Sequence, residues 1–443
     1  MHAATLLLAL VATVVAVPSP IAPATGSNDL DSRALYSSLT SRGRGPVTLK
    51  LSRQEPSATV SRRDLLQNEL DHAARKYLPF LSAEKRAAAE NHLAKRTVPL
   101  TNWARDLQYN VAIEIGTPRQ TFNVVCDTGS PDLWVMAASC QSEACSDMTT
   151  FDPSASSSYA NVNQTLYIGY GSGNVSGQYG KDIVALDSST YFPQEFGLGI
   201  DVSVPNFSKR NTQGILGLSW PVAGHPDPFW YNLFQDGNFD ENVFGIYLKR
   251  SSLSASSNSS DANGGEITIG GTDSAVYTGD FNTIPLQNVN ETFWNIPLDS
   301  VSINGAAISM NGSKSMIDSG TSLIYTSQSN ADEFYSHING STIQDNAFVF
   351  PCNSTHAASF TFGGVEYPVF PYDMTPLVNG DLCYGAVQVT SLPFDTQWVF
   401  GDAFMKNVYT KFVMNPPAVA LAKLADDANI KVNNARCGRP LTR

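Results

Sequence analysis

The sequence predicts an all-β fold for most of the chain, built from two similar halves. From Thr97 onward, short runs of β-branched and aromatic residues alternate with Gly, Pro, Asn and Ser, a pattern typical of strands joined by turns. A five-residue unit occurs twice, at Cys126–Ser130 and Ile317–Thr321: an apolar residue, Asp, Ser or Thr, Gly, and again Ser or Thr. Each is followed by an apolar-apolar-Gly unit whose Gly lies 90 or 83 residues after the Asp. This repeat predicts two lobes related by a pseudo-twofold axis.

The predicted elements are mostly strands. The strand segments are YNVAIEIG (109–116), FNVVCDTG (122–129), GEITIGG (265–271), WNIPLDSVSING (294–305) and WVFGD (398–402). Helices are expected at Asp227–Asp236, at Gln328–Ile338 and, briefly, after Asp402. The lobes are predicted at residues 97–278 and 279–424, with a polar C-terminal tail at 425–443.

The N-terminal region has a different character. The apolar run from Ala3 to Val17 is too short to span a bilayer and precedes small and Pro-rich residues, which predicts a cleaved signal peptide at residues 1–16. The alternative is a buried apolar helix. Residues 17–96 carry 13 basic and 8 acidic groups, become helical in pattern from residue 61 and end at the dibasic pair Lys95-Arg96. We interpret this segment as a prosegment.

The rest of the chain is acidic. Residues 97–443 carry 15 basic and 32 acidic groups, a net charge of −17, which argues against a nucleic-acid partner. No later segment is long and apolar enough to predict a membrane anchor. A basic segment followed by an acidic one suggests an electrostatic complex that loosens when carboxylates become protonated.

Cysteines and glycosylation sequons indicate an oxidising compartment. Cys140 and Cys145 are close enough for a tight loop, and Cys352 and Cys383 could close a longer one, while the state of Cys126 and of Cys437 stays open. Sequons in such number favour a secreted glycoprotein, although a vacuolar destination also uses a signal peptide. The eight sequons begin at Asn163, Asn174, Asn206, Asn258, Asn290, Asn311, Asn339 and Asn353.

The repeated unit supplies a paired-carboxylate chemistry. Two adjacent carboxylates cannot both ionise freely, so Asp127 and Asp318 would share one proton: one activates a water and the other hydrogen-bonds a carbonyl oxygen. A four-residue match of this type is expected only about 0.03 times by chance in a chain of this size, so two copies are a strong signal.

The residues around the two Asp residues have predicted supporting roles. Small residues let the backbone turn and bring amides near the carboxylates, while hydroxyls lock the two loops together and hold the carboxyl groups. The turn residues are Gly129 and Gly320, the locking hydroxyls Thr128 and Ser319, and the carboxyl-holding hydroxyls Ser130 and Thr321.

Other hydrolase classes are not supported. The sequence contains no His-Glu-x-x-His zinc motif and no Gly-x-Ser-x-Gly elbow, and we expect neither a metal nor a cofactor. The main alternative is a catalytically weak or inactive binding protein on the same scaffold, which is less favoured because both Asp loops are intact.

In these motifs the chain resembles the pepsin family of aspartic proteases. The segments Asp127-Thr-Gly-Ser-Pro-Asp-Leu-Trp134-Val and Asp318-Ser-Gly-Thr-Ser322 resemble its two active-site loops, and Tyr170-Gly171-Ser172-Gly173 resembles its flap. The likeness runs from about Leu107 to Lys423. It implies a bilobal pepsin-like fold of two β-barrel-like lobes with an active-site cleft between them, polypeptide substrates cleaved between hydrophobic residues, and a monomer.

The resemblance also assigns individual residues. Tyr170 would lie at the flap tip, together with Gly171 and Ser172, and Trp134 would lie beneath as its hydrogen-bond partner. The pairs Cys140–Cys145 and Cys352–Cys383 resemble family disulfides. Ala74-Arg75-Lys76-Tyr77 resembles the zymogen stretch that crosses the active site, so the chain's own prosegment is an expected partner. Lys76 would then neutralise the two carboxylates, with Tyr77 beside it. Cys126 departs from the pattern, and we expect a free core thiol there.

Overall fold

The computed structural model describes most of the chain from residue 108 onward and several short segments before it. These ranges are 45–53, 69–70, 72–73, 76–77, 80–82 and 108–425, with gaps at 171–172, 187–189, 205–210, 238, 251–262, 289–290 and 394. All described residues belong to one compact unit that spans residues 44–443. The predicted signal peptide, the Lys95-Arg96 site, nearly all of the polar tail and Cys437 lie outside the described residues.

Strands dominate the described chain, as the sequence predicts. In chain order they are β1 Val47–Arg53, β2 Tyr109–Ile115, β3 Gln120–Asp127, β4 Leu133–Met136, β5 Ala160–Tyr170, β6 Gly173–Ala185, β7 Tyr191–Val202, β8 Gly214–Gly217, β9 Val243–Leu248, β10 Asn263–Ile269, β11 Tyr277–Pro285, β12 Asn295–Ile303, β13 Ala306–Ile317, β14 Ile324–Thr326, β15 Thr342–Gln344, β16 Ala347–Pro351, β17 Ala358–Phe362, β18 Val365–Val369, β19 Leu377–Asn379, β20 Leu382–Tyr384, β21 Val387–Val389, β22 Trp398–Phe400, β23 Val408–Val413 and β24 Ala418–Leu424. The all-β prediction is confirmed.

The strands form three sheets within the described residues. The largest has 13 strands in the order β11-β24-β23-β9-β10-β1-β2-β3-β8-β4-β7-β6-β5, with a further β2–β6 pairing. A seven-stranded sheet has the order β18-β17-β12-β13-β22-β14-β21, and a four-stranded sheet the order β15-β16-β20-β19. Strands β11, β23 and β24 come from the second half of the chain, so the large sheet continues from one half into the other.

Strand β1 comes from the predicted prosegment and was not among the predicted strands. It lies between β10 and β2 and pairs antiparallel with both. Its sequence, VTLKLSR, alternates apolar and polar residues, which is the period-two signal of a half-buried strand. The segment is therefore part of the main sheet.

The few predicted helices are present. They are α1 Phe229–Gln235, α2 Gln328–Ser336 and α3 Asp402–Met405, with 3₁₀ turns at Glu143–Cys145 and Pro153–Ala155. Helix α2 begins where the Ser327 side chain accepts a hydrogen bond from the Asn330 amide, which satisfies one free amide of the first turn. The sheets and α1 bury a continuous apolar core that includes the clustered rings of Trp230, Trp294 and Phe412.

Candidate active site

The two Asp loops occupy equivalent positions in the two halves. Strand β3 ends at Asp127 and pairs in parallel with β8, which pairs antiparallel with β4 on its other side. Strand β13 ends one residue before Asp318 and pairs in parallel with β22, which pairs antiparallel with β14. Each loop therefore crosses from one side of an apolar-apolar-Gly strand to the other, which is the structural form of the sequence repeat.

Local donors hold the carboxylate of Asp127. The Gly129 amide donates to Oδ1 at 2.9 Å, and the Ser130 hydroxyl donates to Oδ2 at 2.7 Å. Asp127 is buried, with 3% of its surface exposed. The carboxylate is thus fixed in orientation as well as removed from water.

The same arrangement recurs at Asp318. The Gly320 amide donates to Oδ1 at 2.9 Å, and the Thr321 hydroxyl donates to Oδ2 at 2.7 Å. The side chain is fully buried. Matching donors on matching oxygens give the two carboxyl groups equivalent surroundings.

The hydroxyls of Thr128 and Ser319 join the two loops. The Thr128 amide donates to Ser319 Oγ at 3.1 Å, and the Ser319 amide donates to Thr128 Oγ1 at 2.9 Å. Each hydroxyl also donates to a carbonyl of the opposite half, Thr128 to Ile317 at 3.0 Å and Ser319 to Cys126 at 2.9 Å. Every one of these groups is buried or internal, so the contacts fix the spacing of the two Asp residues.

Close approach explains the two loop glycines. A Cβ atom added at Gly129 would lie 2.5 Å from the carboxyl atoms of Asp318, and one added at Gly320 would overlap the carboxyl of Asp127. Each Asp therefore lies against the glycine of the opposite loop. Any side chain at either position would force the carboxyl groups apart.

Lys76 lies between the two carboxylates. Its Nζ is 2.9 Å from Asp127 Oδ1 and 2.9 Å from both oxygens of Asp318. The residue is 4% exposed, so this is a buried contact between one cation and two acidic groups. Tyr77 adds a second contact, because its hydroxyl donates to Asp318 Oδ2 at 2.6 Å and lies 3.1 Å from Thr321 Oγ1.

The buried charges shift one another's pKa values. Burial opposes the charge on Lys76, but the two carboxylates outweigh it and raise the pKa of the ammonium group. Burial would also raise the pKa of Asp318, but the charge of Lys76 and the hydrogen bonds from Lys76, Tyr77 and Thr321 lower it to about 2. Burial, with the charge of Asp318, raises the pKa of Asp127 despite Lys76. Lys76 and Tyr77, from the predicted prosegment, therefore change the charge environment of the two Asp residues.

Sequence reasoning missed two acidic residues beside the site. Glu69, from the predicted prosegment, is buried and accepts a hydrogen bond from Ser322 Oγ at 2.7 Å, while its carbonyl accepts one from Tyr325. Asp402 begins α3, and burial, opposed by Lys406, raises the pKa of its carboxyl well above the ordinary value. An acidic residue directly after the apolar Val399-Phe400-Gly401 was the available sequence signal for Asp402.

The flap prediction is only partly described. Strands β5 and β6 form a hairpin that pairs up to Tyr170 and Gly173. Trp134 is fully buried and packs with Leu166 and Val175 of this hairpin, so it lies against the predicted flap. Gly171, Ser172 and the Tyr170 side chain lie outside the described residues, and the hydrogen bond from Trp134 to Tyr170 stays a prediction.

Both predicted disulfides are confirmed. Cys140 is bonded to Cys145, five residues away, and Cys352 is bonded to Cys383, 31 residues away. Cys126 is a free, buried thiol, and burial followed by the charge of Asp127 raises its pKa. It packs as a core residue directly behind the first Asp loop.

Five predicted sequons fall on described residues. Asn163, Asn311, Asn339 and Asn353 are exposed, and Asn174, at the flap hairpin, is half-buried. Asn206, Asn258 and Asn290 lie outside the described residues. Exposure is compatible with attachment of a glycan, and occupancy of all eight sites stays a prediction.

The described residues contain no group of three or more His, Cys, Asp or Glu side chains that could hold a metal ion. Among the described helices, none is long and apolar enough to cross a membrane.

Comparisons with known proteins agree with this geometry. The family model "Eukaryotic aspartyl protease" matches residues 108–424. Major aspartyl peptidase 1 of Cryptococcus neoformans is 31% identical over 423 residues, covering 88% of this chain and 86% of that protein. Pepsin A of Sus scrofa is 32% identical over 379 residues, covering 83% and 94%, and pepsin A of Rhinolophus ferrumequinum is 32% identical over 371 residues, covering 82% and 90%. The chain therefore belongs to the eukaryotic aspartyl protease family and is an aspartic endopeptidase.

Proposed function

We propose that this chain is the precursor of a secreted enzyme that hydrolyses internal peptide bonds between hydrophobic residues at acidic pH, with Asp127 and Asp318 as its catalytic carboxylates. The observation that carries the proposal is the position of Lys76 Nζ, 2.9 Å from both carboxyl groups. The ammonium group stands in for the water that the mature enzyme would hold there, since a water oxygen at the same point would reach both carboxyl groups.

The paired carboxyl groups can supply both halves of the reaction. One ionised carboxylate takes a proton from the water as its oxygen attacks the scissile carbonyl carbon, and the protonated partner donates to the carbonyl oxygen. The tetrahedral intermediate then breaks its C–N bond while a carboxyl proton passes to the leaving amine. Because the pair titrates as a unit, we assign the two steps to the dyad and not to one Asp each.

The prosegment would keep the enzyme latent. Lys76 occupies the water position and Tyr77 caps Asp318, so neither carboxyl can act while both contacts persist. Acid would protonate the carboxylates, weaken their hold on Lys76 and allow removal of residues 17–96. The buried carboxyl of Glu69, which accepts a hydrogen bond from Ser322, is a further acidic group between the proposed prosegment and the rest of the chain.

The proposed destination and specificity come from the sequence and from the family resemblance. The apolar run at residues 3–17, the sequons and the two disulfides favour passage through the secretory pathway, with secretion as the proposed destination and the vacuole as the alternative. Preference for hydrophobic residues and a monomeric state follow from the family resemblance. The relatives, named as peptidases and pepsins, give no support to the alternative of an inactive binding protein.

The dyad is tested by cleavage of denatured haemoglobin from acidic to neutral pH, with and without pepstatin. Replacing Asp127 with Asn should reduce kcat by about 10³-fold or more, because Asp318 then has no second carboxylate with which to share the proton. Cys126→Ser, one residue away, serves as the matched control for local folding. Activity that survives Asp127→Asn would place the catalytic site elsewhere.

A further inference from the structure

Asp132 is a buried carboxylate that the proposed reaction does not use. It lies at the end of the first Asp loop, residues 127–132, between β3 and β4, and its side chain is 3% exposed. A carboxylate in this position needs a donor or a cation, because burial without one is costly. The structure provides both, from parts of the chain that lie far apart in sequence.

His225 and Tyr179 are the partners of this carboxylate. His225 Nδ1 lies 3.0 Å from Asp132 Oδ1 and 3.1 Å from Oδ2, and the Tyr179 hydroxyl of β6 donates to Oδ1 at 3.2 Å. The three side chains are called the Asp132 clamp below. His225 is 93 residues from Asp132 in sequence, in the loop between β8 and α1.

Backbone hydrogen bonds also join the first Asp loop to residues 217–219, at the start of the segment that carries His225. The Leu218 amide donates to the Asp127 carbonyl at 2.8 Å, the Ser219 amide to the Ser130 carbonyl at 3.1 Å, and the Gly217 amide to the Asp132 carbonyl at 3.0 Å. The loop that carries His225 is therefore bonded along the whole of the first Asp loop. A change in the clamp would be transmitted directly to the position of Asp127.

The charge on the imidazole ring decides how strongly the clamp holds. The hydrogen bond to Asp132, opposed by partial burial and aided by the Asp132 charge, raises the pKa of His225 above 6.5. In the described part of the chain no second carboxylate contributes to that shift. Burial and Asp132 raise the pKa of Tyr179, so its hydroxyl stays a neutral donor through neutral pH.

We propose that His225 is a positioning residue for the catalytic loop: its protonated ring holds Asp132, and through it Asp127, in place at acidic pH, and this hold weakens when the ring loses its proton. The proposal deepens the proposed function and rests on it. Because the folded-state pKa of His225 is raised, the stabilisation is fully present below the unfolded value of 6.5 and is lost as pH rises through the folded value.

The first test measures stability without requiring activity. In a full-length Asp127→Asn background, which cannot process itself under the proposed function, His225→Gln should lower Tm by about 2 °C more at about pH 5.5 than at about pH 8.5. His337→Gln is the matched control, because His337 also lies near a carboxylate, at 3.7 Å from Glu333, with similar exposure but directly after helix α2. The control should lower Tm at about pH 5.5 by less than His225→Gln does, because its contact is longer and its carboxylate is more exposed.

The second test uses the active enzyme. His225→Gln should lower kcat about fivefold at about pH 5 with little change in KM, since it displaces a catalytic group and not a substrate contact. His225→Lys, which keeps a cation, should recover part of the loss, and His337→Gln should have no effect. Effects of His225→Gln and Asp132→Asn that simply add in the double variant would contradict the clamp.

If His225→Gln fails to fold, a titration of the His225 ring by NMR in the Asp127→Asn protein replaces the variant. The proposal requires a pKa above 6.5 that returns to the ordinary value in Asp132→Asn. A ring that titrates at or below 6.5, or a Tm loss equal at both pH values, would overturn it. These outcomes are separate from the proposed function, whose failure appears as haemoglobin cleavage by Asp127→Asn.

Discussion

Replacing Lys76 with Ala is expected to destroy the latency of the precursor. The side chain is buried between Asp127 and Asp318, so its loss removes the cation that compensates two buried carboxylates. Removing one partner of a buried ion pair costs about 3–5 kcal/mol when the remaining charge stays ionised. Here the two carboxyl groups can share a proton instead, which reduces that cost.

The pKa of Asp318 limits the magnitude. Its depression from 3.8 to about 2 corresponds to about 2 kcal/mol in favour of the ionised, contacted form, and Tyr77 and Thr321 provide part of it. We therefore expect the closed state to lose slightly less than about 2 kcal/mol, which raises the population of the open state about 10- to 30-fold. Because the pKa is depressed, this contribution is present above 3.8 and disappears as pH falls towards about 2.

The assay is the rate at which the purified precursor converts to the mature form, followed by gel and by N-terminal sequencing. At about pH 5 Lys76→Ala should convert about 10- to 30-fold faster than the wild type, and at about pH 2 the two should convert at similar rates. Lys50→Ala is the control, since Lys50 contacts Glu266 from β1 but is 67% exposed, and it should change the rate less than about fivefold. A Lys76→Ala precursor that stays latent at about pH 5 would refute the reasoning.

Two further predictions concern stability, both measured as the free energy of unfolding of the full-length Asp127→Asn protein in denaturant. Arg250 and Asp373 form a buried ion pair at 2.6 Å, and Lys406 lies 3.2 Å from the other oxygen of the same carboxylate. Arg250→Ala should cost about 3 kcal/mol, the low end of the cost of breaking a buried ion pair, because the carboxylate keeps Lys406 as a second buried cation. Arg119→Ala, in the half-exposed pair with Glu114, should cost less than about 1 kcal/mol. Equal losses would contradict the difference in burial. Removing the Cys352–Cys383 bond by a double Ser variant should cost about 3.5 kcal/mol, against about 2 kcal/mol for Cys140–Cys145, because the first closes a 31-residue separation and the second a separation of five. A larger loss at the shorter loop would count against the loop-closure account.

Several features were predictable because their signals lie in consecutive residues. The Asp-hydroxyl-Gly-hydroxyl units, their preceding strands and the apolar-apolar-Gly strands are short and repeated, so the all-β class, the two halves and the pair of Asp loops follow from them. The three helices were predicted correctly from short segments, whereas the two disulfide pairs followed from the family resemblance. Strand β1 was not predicted although its alternation is visible in the sequence, because seven alternating residues do not show which sheet they would join.

By itself, the sequence determined which chemistry the chain can perform, because paired acidic loops carry that chemistry in a few adjacent residues. The tertiary structure decided which distant groups act on those loops. Lys76 lies 242 residues from Asp318, and His225 lies 93 residues from Asp132. Lys50 of β1 lies 216 residues from Glu266 of β10, with which it forms an ion pair. Such contacts depend on sheet order and strand register, which are set by the packing of the whole core. The Lys76 contact was expected from the family resemblance, whereas no pattern in the sequence specified the His225 contact or the pairing of β1.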